Sequence, residues 1–261
     1  MLFVDTHCHL DFDAYENDLD DVIKRAVDGG VSRIVVPGLN LTSSCKVVDL
    51  AVRYTEVVGA VGIHPSDVDT WQPNQLAEFE ALLTHPKIVA VGEVGLDYFH
   101  RKDNFNLQKD ILGIFLGLAL RHNKPVILHS RNCLLDLADI IEKHQPVTGV
   151  NKLHAVFHAF EGDLEEAQKL TSLGYYIGVG GPVTYKNAAK KQEVFSKIDL
   201  SHMLLETDGP FLAPQAHRGK RNEPAFIPLI AEKIAELRQC DIKEVADATN
   251  ENAKNLFHWT S

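Results

Sequence analysis

Two histidines, His7 and His9, follow an apolar run near the start of the chain with one residue between them. In extended backbone residues i and i+2 share a face, so both imidazoles point one way and Cys8 the other. Each of two polar rings on one face would need its own buried partner, which makes packing a poor account and metal ligation a good one. The theme repeats. Glu93 follows Val89-Ala90-Val91-Gly92, His129 follows Pro125-Val126-Ile127-Leu128, His158 follows Val156-Phe157, and Asp208 follows Met203-Leu204-Leu205-Glu206-Thr207. Any one of these could be an ordinary loop residue. Six such side chains ending five apolar runs suit two divalent metals, each taking about four to six ligands with waters and a bridging carboxylate counted. The chemistry to expect is hydrolysis by a metal-activated water, with Glu93 and Asp208 as the catalytic carboxylates and Asp208 the acceptor of the water's proton. Imidazole-rich ligation suits zinc or manganese, and the carboxylates admit magnesium.

Other residues are placed around this set. His64, in Gly62-Ile63-His64-Pro65, closes the third apolar run and reads as a contact to substrate or to a metal ligand. Asp5 and Asp97 read as carboxylates standing behind ligand histidines, with a strand-end charge and a loop turn as the plainer accounts. His154 lies four residues before His158, so on a strand it would share that face at the opposite end, filling the interior or its entrance. His85, His100, His122, His144, His202 and His258 fall in helical or loop contexts and suit packing or surface roles. A cationic cluster, His217-Arg218-Gly219-Lys220-Arg221-Asn222, follows the last apolar run. Arginine grips phosphate bidentately and glycine lets backbone approach a ligand closely. His217, Arg218 and Asn222 are therefore candidate substrate contacts, as is Arg131 beside His129; a solvated loop is the alternative.

The elements that must position these residues alternate. Strand-like runs fall at 2–5, 31–36, 57–62, 87–92, 125–128, 153–157, 175–179 and 202–206, with helical periods such as Leu19-Val22-Ile23-Ala26-Val27 between them. Runs such as Arg33-Ile34-Val35-Val36 are apolar on both faces, as parallel strands covered by helices must be. Eight such units predict an α/β fold, a (β/α)8 TIM barrel with the metal site at the C-terminal ends of its strands; a doubly wound open sheet is the alternative. Two further helices fit 225–239, after Pro224, and 242–257, opened by Asp241 with Glu244 three residues on. No composition shift divides the chain, so 1–261 reads as a single domain.

Composition narrows the partners. A formal charge of −10 argues against an extended grip on duplex DNA, which calls for a basic face. It leaves room for one strand end or a small phosphoester, because bound metals add local positive charge. The four cysteines are scattered with no paired spacing, as in a reduced, cytoplasmic protein. The start has no basic segment before its apolar residues, so no signal peptide is expected. The most apolar stretch, Ile111 to Leu120, holds ten residues and suits a buried helix, not a membrane span. No obligate protein partner is evident.

The motifs together resemble one family. Val4-Asp5-Thr6-His7-Cys8-His9-Leu10, Gly62-Ile63-His64-Pro65, Gly92-Glu93-Val94-Gly95-Leu96-Asp97-Tyr98, Leu128-His129-Ser130-Arg131, His158-Ala159-Phe160-Glu161-Gly162 and Glu206-Thr207-Asp208-Gly209-Pro210-Phe211-Leu212-Ala213-Pro214 resemble, in order, the TatD family of metal-dependent hydrolases. The resemblance implies an amidohydrolase-like TIM barrel and two divalent metal ions, one on His7, His9 and Asp208, the other on His129 and His158, bridged by Glu93. It also implies a cytoplasmic deoxyribonuclease, often a 3′-to-5′ exonuclease. The family pattern H-R-G-x-x-N matches His217 to Asn222. Ala159, Glu161 and Gly209, in the other motifs, depart from the family's usual residues without removing a ligand, and Glu161 adds negative charge near the expected substrate. Two other functions compete: hydrolysis of a carboxylic ester or amide, such as an aminoacyl ester on RNA, and a non-catalytic scaffold.

Overall fold

The computed structural model describes residues 1–146 and 152–259. Strands and helices alternate from the start: β1 (Phe3–Asp5), α1 (Leu19–Asp28), β2 (Val31–Pro37), α2 (Leu41–Arg53), β3 (Val57–Val61) and α3 (Leu76–Leu83). The pattern continues through β4 (Ile88–Asp97), α4 (Phe105–His122), β5 (Val126–Arg131), α5 (Leu134–His144), β6 (Ala155–Phe157) and α6 (Leu164–Ser172). It ends with β7 (Tyr176–Val179), α7 (Ala189–Lys197), β8 (Met203–Leu205), α8 (Ile227–Arg238) and α9 (Ile242–Phe257). The strands form one eight-stranded sheet in the order β1 to β8, which makes this the predicted (β/α)8 barrel. Ile111 to Leu120 lies inside α4, and among the described residues no helix is long and apolar enough to cross a membrane.

Packing divides the chain into two compact units, Met1–Val36 with His158–Asn255, and Pro37–Phe157 with Leu256–Trp259. In the first, the backbone after β8 closes on the backbone after β1. Thr6 N–H donates to Leu205 O (2.9 Å), Asp208 N–H to His7 O (2.8 Å) and His9 N–H to Gly209 O (2.8 Å). Asp5 locks the closure: fully buried, it accepts from the Thr207 hydroxyl (2.6 Å), the Thr207 N–H (3.0 Å) and the His7 N–H (3.2 Å). Its partner is thus the backbone of His7, not the imidazole that the sequence suggested.

In the second unit β4 is the spine, with all ten residues buried and parallel neighbours β3 and β5. The sequence reading ends this strand at Gly92, yet it runs to Asp97, because Val94 and Leu96 keep burying apolar surface beyond the glycine. Gly95 is required for that pairing: with φ at 150° it lies where a Cβ would overlap the His129 carbonyl. Likewise β5 continues through His129 to Arg131. His154 is corrected more sharply. It precedes β6 and is exposed, its ring near that of His258 (6.1 Å), so it fills no interior.

Candidate metal centre

Closure of β8 on β1 brings the first set of ligands together. His7 and His9 present their Nε2 atoms 3.2 Å apart, and Asp208 Oδ1 lies 3.8 and 3.6 Å from them. Ligands at tetrahedral corners about 2.0–2.1 Å from a metal are roughly 3.4 Å apart, so the three atoms are spaced as one ion requires. His7 and His9 are buried. Asp208 adopts a left-handed φ of 55°, a conformation that aspartate tolerates better than most residues. Gly209 follows because of its surroundings: a Cβ there would come within 2.5 Å of the Tyr15 hydroxyl and 2.9 Å of Cys8 Sγ.

His158, in the same unit, stacks on His7 with ring centroids 3.9 Å apart and planes 9° from parallel. Beside it sits Glu206, which the sequence reading passed over as part of an apolar run. Its carboxyl is buried, accepts the Ala159 N–H and lies 4.0 Å from His158 Nδ1. Burial pushes it up to about 8, against the pull of His158 and that N–H. The signal was present: a carboxylate two residues before Asp208, with no turn residue to carry it into solvent. His158→Ala should lose about one metal equivalent, whereas His154→Ala should leave metal content unchanged; atomic absorption on the purified variants checks both, and the reverse result would mean the sixth strand end is misassigned.

The second unit gathers His64, Glu93 and His129. Glu93 Oε1 lies 2.9 Å from His129 Nδ1 and 3.5 Å from His64 Nε2, and these three form a further group able to hold a metal ion. Asp97 Oδ2 faces His129 Nε2 at 3.4 Å; a ring proton held there would leave the Nδ1 lone pair for an ion also bound by Glu93. Burial alone would raise the Asp97 carboxyl, but hydrogen bonds from His129, from His100 and from the Phe99 N–H hold it well below the usual carboxylate range. His64 differs from His129 in one respect. Its Nδ1 accepts the Ser66 N–H (3.1 Å), so a neutral ring carries its proton on Nε2 and acts there as a donor. That favours a contact to substrate over ligation.

The substrate candidates separate. Arg218 is exposed and lies over the Tyr185 ring at 4.6 Å. His217 stacks on Phe226 at 3.9 Å, and Arg131 lies over Phe99 at 5.5 Å. Asn222 does not reach outward. It is fully buried, its Nδ2 donates to Thr207 O and Phe211 O (2.7 Å each) and its Oδ1 accepts from the Glu223 N–H (3.0 Å). With both amide hydrogens committed, it holds the turn around Asp208 and has no donor for a phosphate. Arg221 is also engaged, paired with Asp18 at 2.6 and 2.7 Å.

Histidines and carboxylates spaced for divalent ions at strand ends of a (β/α)8 barrel define the class of metal-dependent hydrolases. The chain belongs to the TatD family within it: the family model described as TatD related DNase matches residues 4–258. An uncharacterized metal-dependent hydrolase, YabD of Bacillus subtilis, is 39% identical over 98% of this chain and 99% of its own. The 3′-5′ ssDNA/RNA exonuclease TatD of Edwardsiella piscicida is 34% identical over 93% of this chain and 94% of its own. The crystal structure of YjjV, a TatD homolog from Escherichia coli, superposes with a TM-score of 0.92 at 35% identity, covering 99% of this chain and 98% of that one.

Proposed function

We propose that this chain is a two-metal phosphodiesterase acting as a single domain on nucleic-acid ends, a deoxyribonuclease of the 3′-to-5′ exonuclease type. The observation that carries the reading is the division of ligands into two sets, His7, His9 and Asp208 in one and Glu93 and His129 in the other, with the donor His64 beside the second. His158, stacked on His7, would be a further ligand. Zinc or manganese fits the imidazoles and magnesium the carboxylates. Divalent ions held there would supply Lewis acidity that lowers the pKa of a water toward about 7. With metal bound, Asp208 would accept the water's proton on a carboxylate oxygen, Asp97 would orient the His129 ring through Nε2, and His64 Nε2–H would donate to an oxygen of the phosphoryl group. Arg218 neutralises a phosphate from solvent. The exonuclease activity of the Edwardsiella relative favours a nucleic-acid substrate.

The test is turnover of 3′-labelled single-stranded DNA beside carboxylic ester and amide panels, after metal removal and return of zinc, manganese or magnesium. Release of 3′ nucleotides is expected. Hydrolysis of esters or amides, including an aminoacyl ester on RNA, with no DNA cleavage would replace the reading. Arg218→Ala refines it. One charge-assisted contact contributes about 1.5–3 kcal/mol, so nucleic-acid turnover should fall about tenfold to a hundredfold, chiefly through KM. The log–log salt slope should drop by about 0.7 for a single strand. Equal loss on an uncharged ester would show that Arg218 shapes the metal centre instead.

A further inference from the structure

The turn after β8 holds apolar side chains out in water. Leu212 adopts a left-handed φ of 52°, which bulky residues seldom take, and Phe211 and Leu212 are 50% and 47% exposed. Asn222 pins the turn through its bond to Phe211 O, so the exposure is built into the backbone. Such conformations persist where surrounding structure enforces them, and they cluster at functional sites.

What the turn displays is a run of rings. Phe211 meets Phe12 edge-on at 5.9 Å, and Phe12 stacks on His9 at 4.8 Å with planes 23° apart. Phe211 also meets His9 edge-on at 6.5 Å. An aromatic surface therefore leads from a metal-ligand ring to solvent. The same turn carries a cation: Tyr185, whose hydroxyl donates to Ala213 O (3.0 Å), lies beneath Arg218. Rings beside a hydrolytic centre, with a cation tied to the same turn, match a planar base joined to a phosphate, since every base offers a π-face and its backbone a negative charge.

We propose that Phe211, backed by Phe12, is the subsite that stacks the base adjoining the scissile phosphate of a single-stranded nucleic acid. This rests on the phosphodiesterase reading and adds what selects the substrate end. The experiment compares a short single-stranded DNA ending in an ordinary 3′ nucleotide with the same strand ending in an abasic one. Wild-type protein, Phe211→Ala, Phe211→Leu and Phe211→Trp are assayed on both, with metal content measured for each. Stacking of one base predicts a wild-type preference for the base-bearing end of about tenfold to a hundredfold. Alanine and leucine should bring the ratio toward one, and tryptophan should keep it. An unchanged ratio in Phe211→Ala, with both strands cleaved, would overturn the subsite and leave the phosphodiesterase reading standing. Collapse of the ratio in Phe211→Trp as well would also overturn stacking. Failure of wild-type protein to cleave either strand with any of the three metals would overturn both.

Discussion

Replacing His7 and His9 together by alanine should reduce hydrolysis by at least about three orders of magnitude while the barrel stays folded. The size follows from the water: without a metal its pKa would rise from about 7 far above neutral, and the nucleophile would no longer be available at neutral pH. The fold should survive because both side chains leave the strand after its last residue, Asp5, and β1 keeps its backbone pairing with β2. Circular dichroism and metal content are measured beside activity. Wild-type turnover in the double variant would remove these residues from the site, and an unfolded spectrum would show that they hold the core.

Asn222→Ala should produce the largest loss of stability at any residue first considered for substrate contact. It strips donors from Thr207 O and Phe211 O and the acceptor from the Glu223 N–H. An unsatisfied buried polar group costs about 1–3 kcal/mol, so a total near 3 kcal/mol or more is expected. For a domain of this size that is a fall in Tm of roughly 6–12 °C. Asn222→Asp is the sharper variant, since it keeps an acceptor and loses both donors; it should do no better than alanine. Activity should fall with both, through a displaced Asp208. A phosphate-contact role predicts a different pattern: unchanged stability, a raised KM and a shallower salt slope.

The barrel was legible because its strands are apolar on both faces and end abruptly in residues that metals bind. Ile34-Val35-Val36 and Val126-Ile127-Leu128 leave no polar face for solvent, and their shortness and β-branched content separate them from buried helices. The end of β4 was hidden by Gly92 and Gly95, which read as breakers in one dimension but allow close strand approach in three. The candidate ligands were visible in the same way, as polar side chains with no packing excuse. Their partners were not. Whether Asn222 faces a phosphate or two carbonyls depends on a turn that the sequence does not orient. The donor character of His64 depends on the Ser66 N–H two residues away, a detail of backbone direction. Glu206 escaped because a carboxylate inside an apolar run is read as part of the run until its burial is seen.

The bond from Asp5 to Thr207 spans 202 residues, and the ligand set formed by His7, His9 and Asp208 spans about the same distance. During synthesis at about 5–20 residues per second, the two histidines wait roughly 10–40 s for the carboxylate that completes their set. The three candidate ligands therefore stand together only after the last strand has emerged and docked. A chain truncated before Asp208 would keep both imidazoles but lack the carboxylate oxygen that stands 3.8 and 3.6 Å from them.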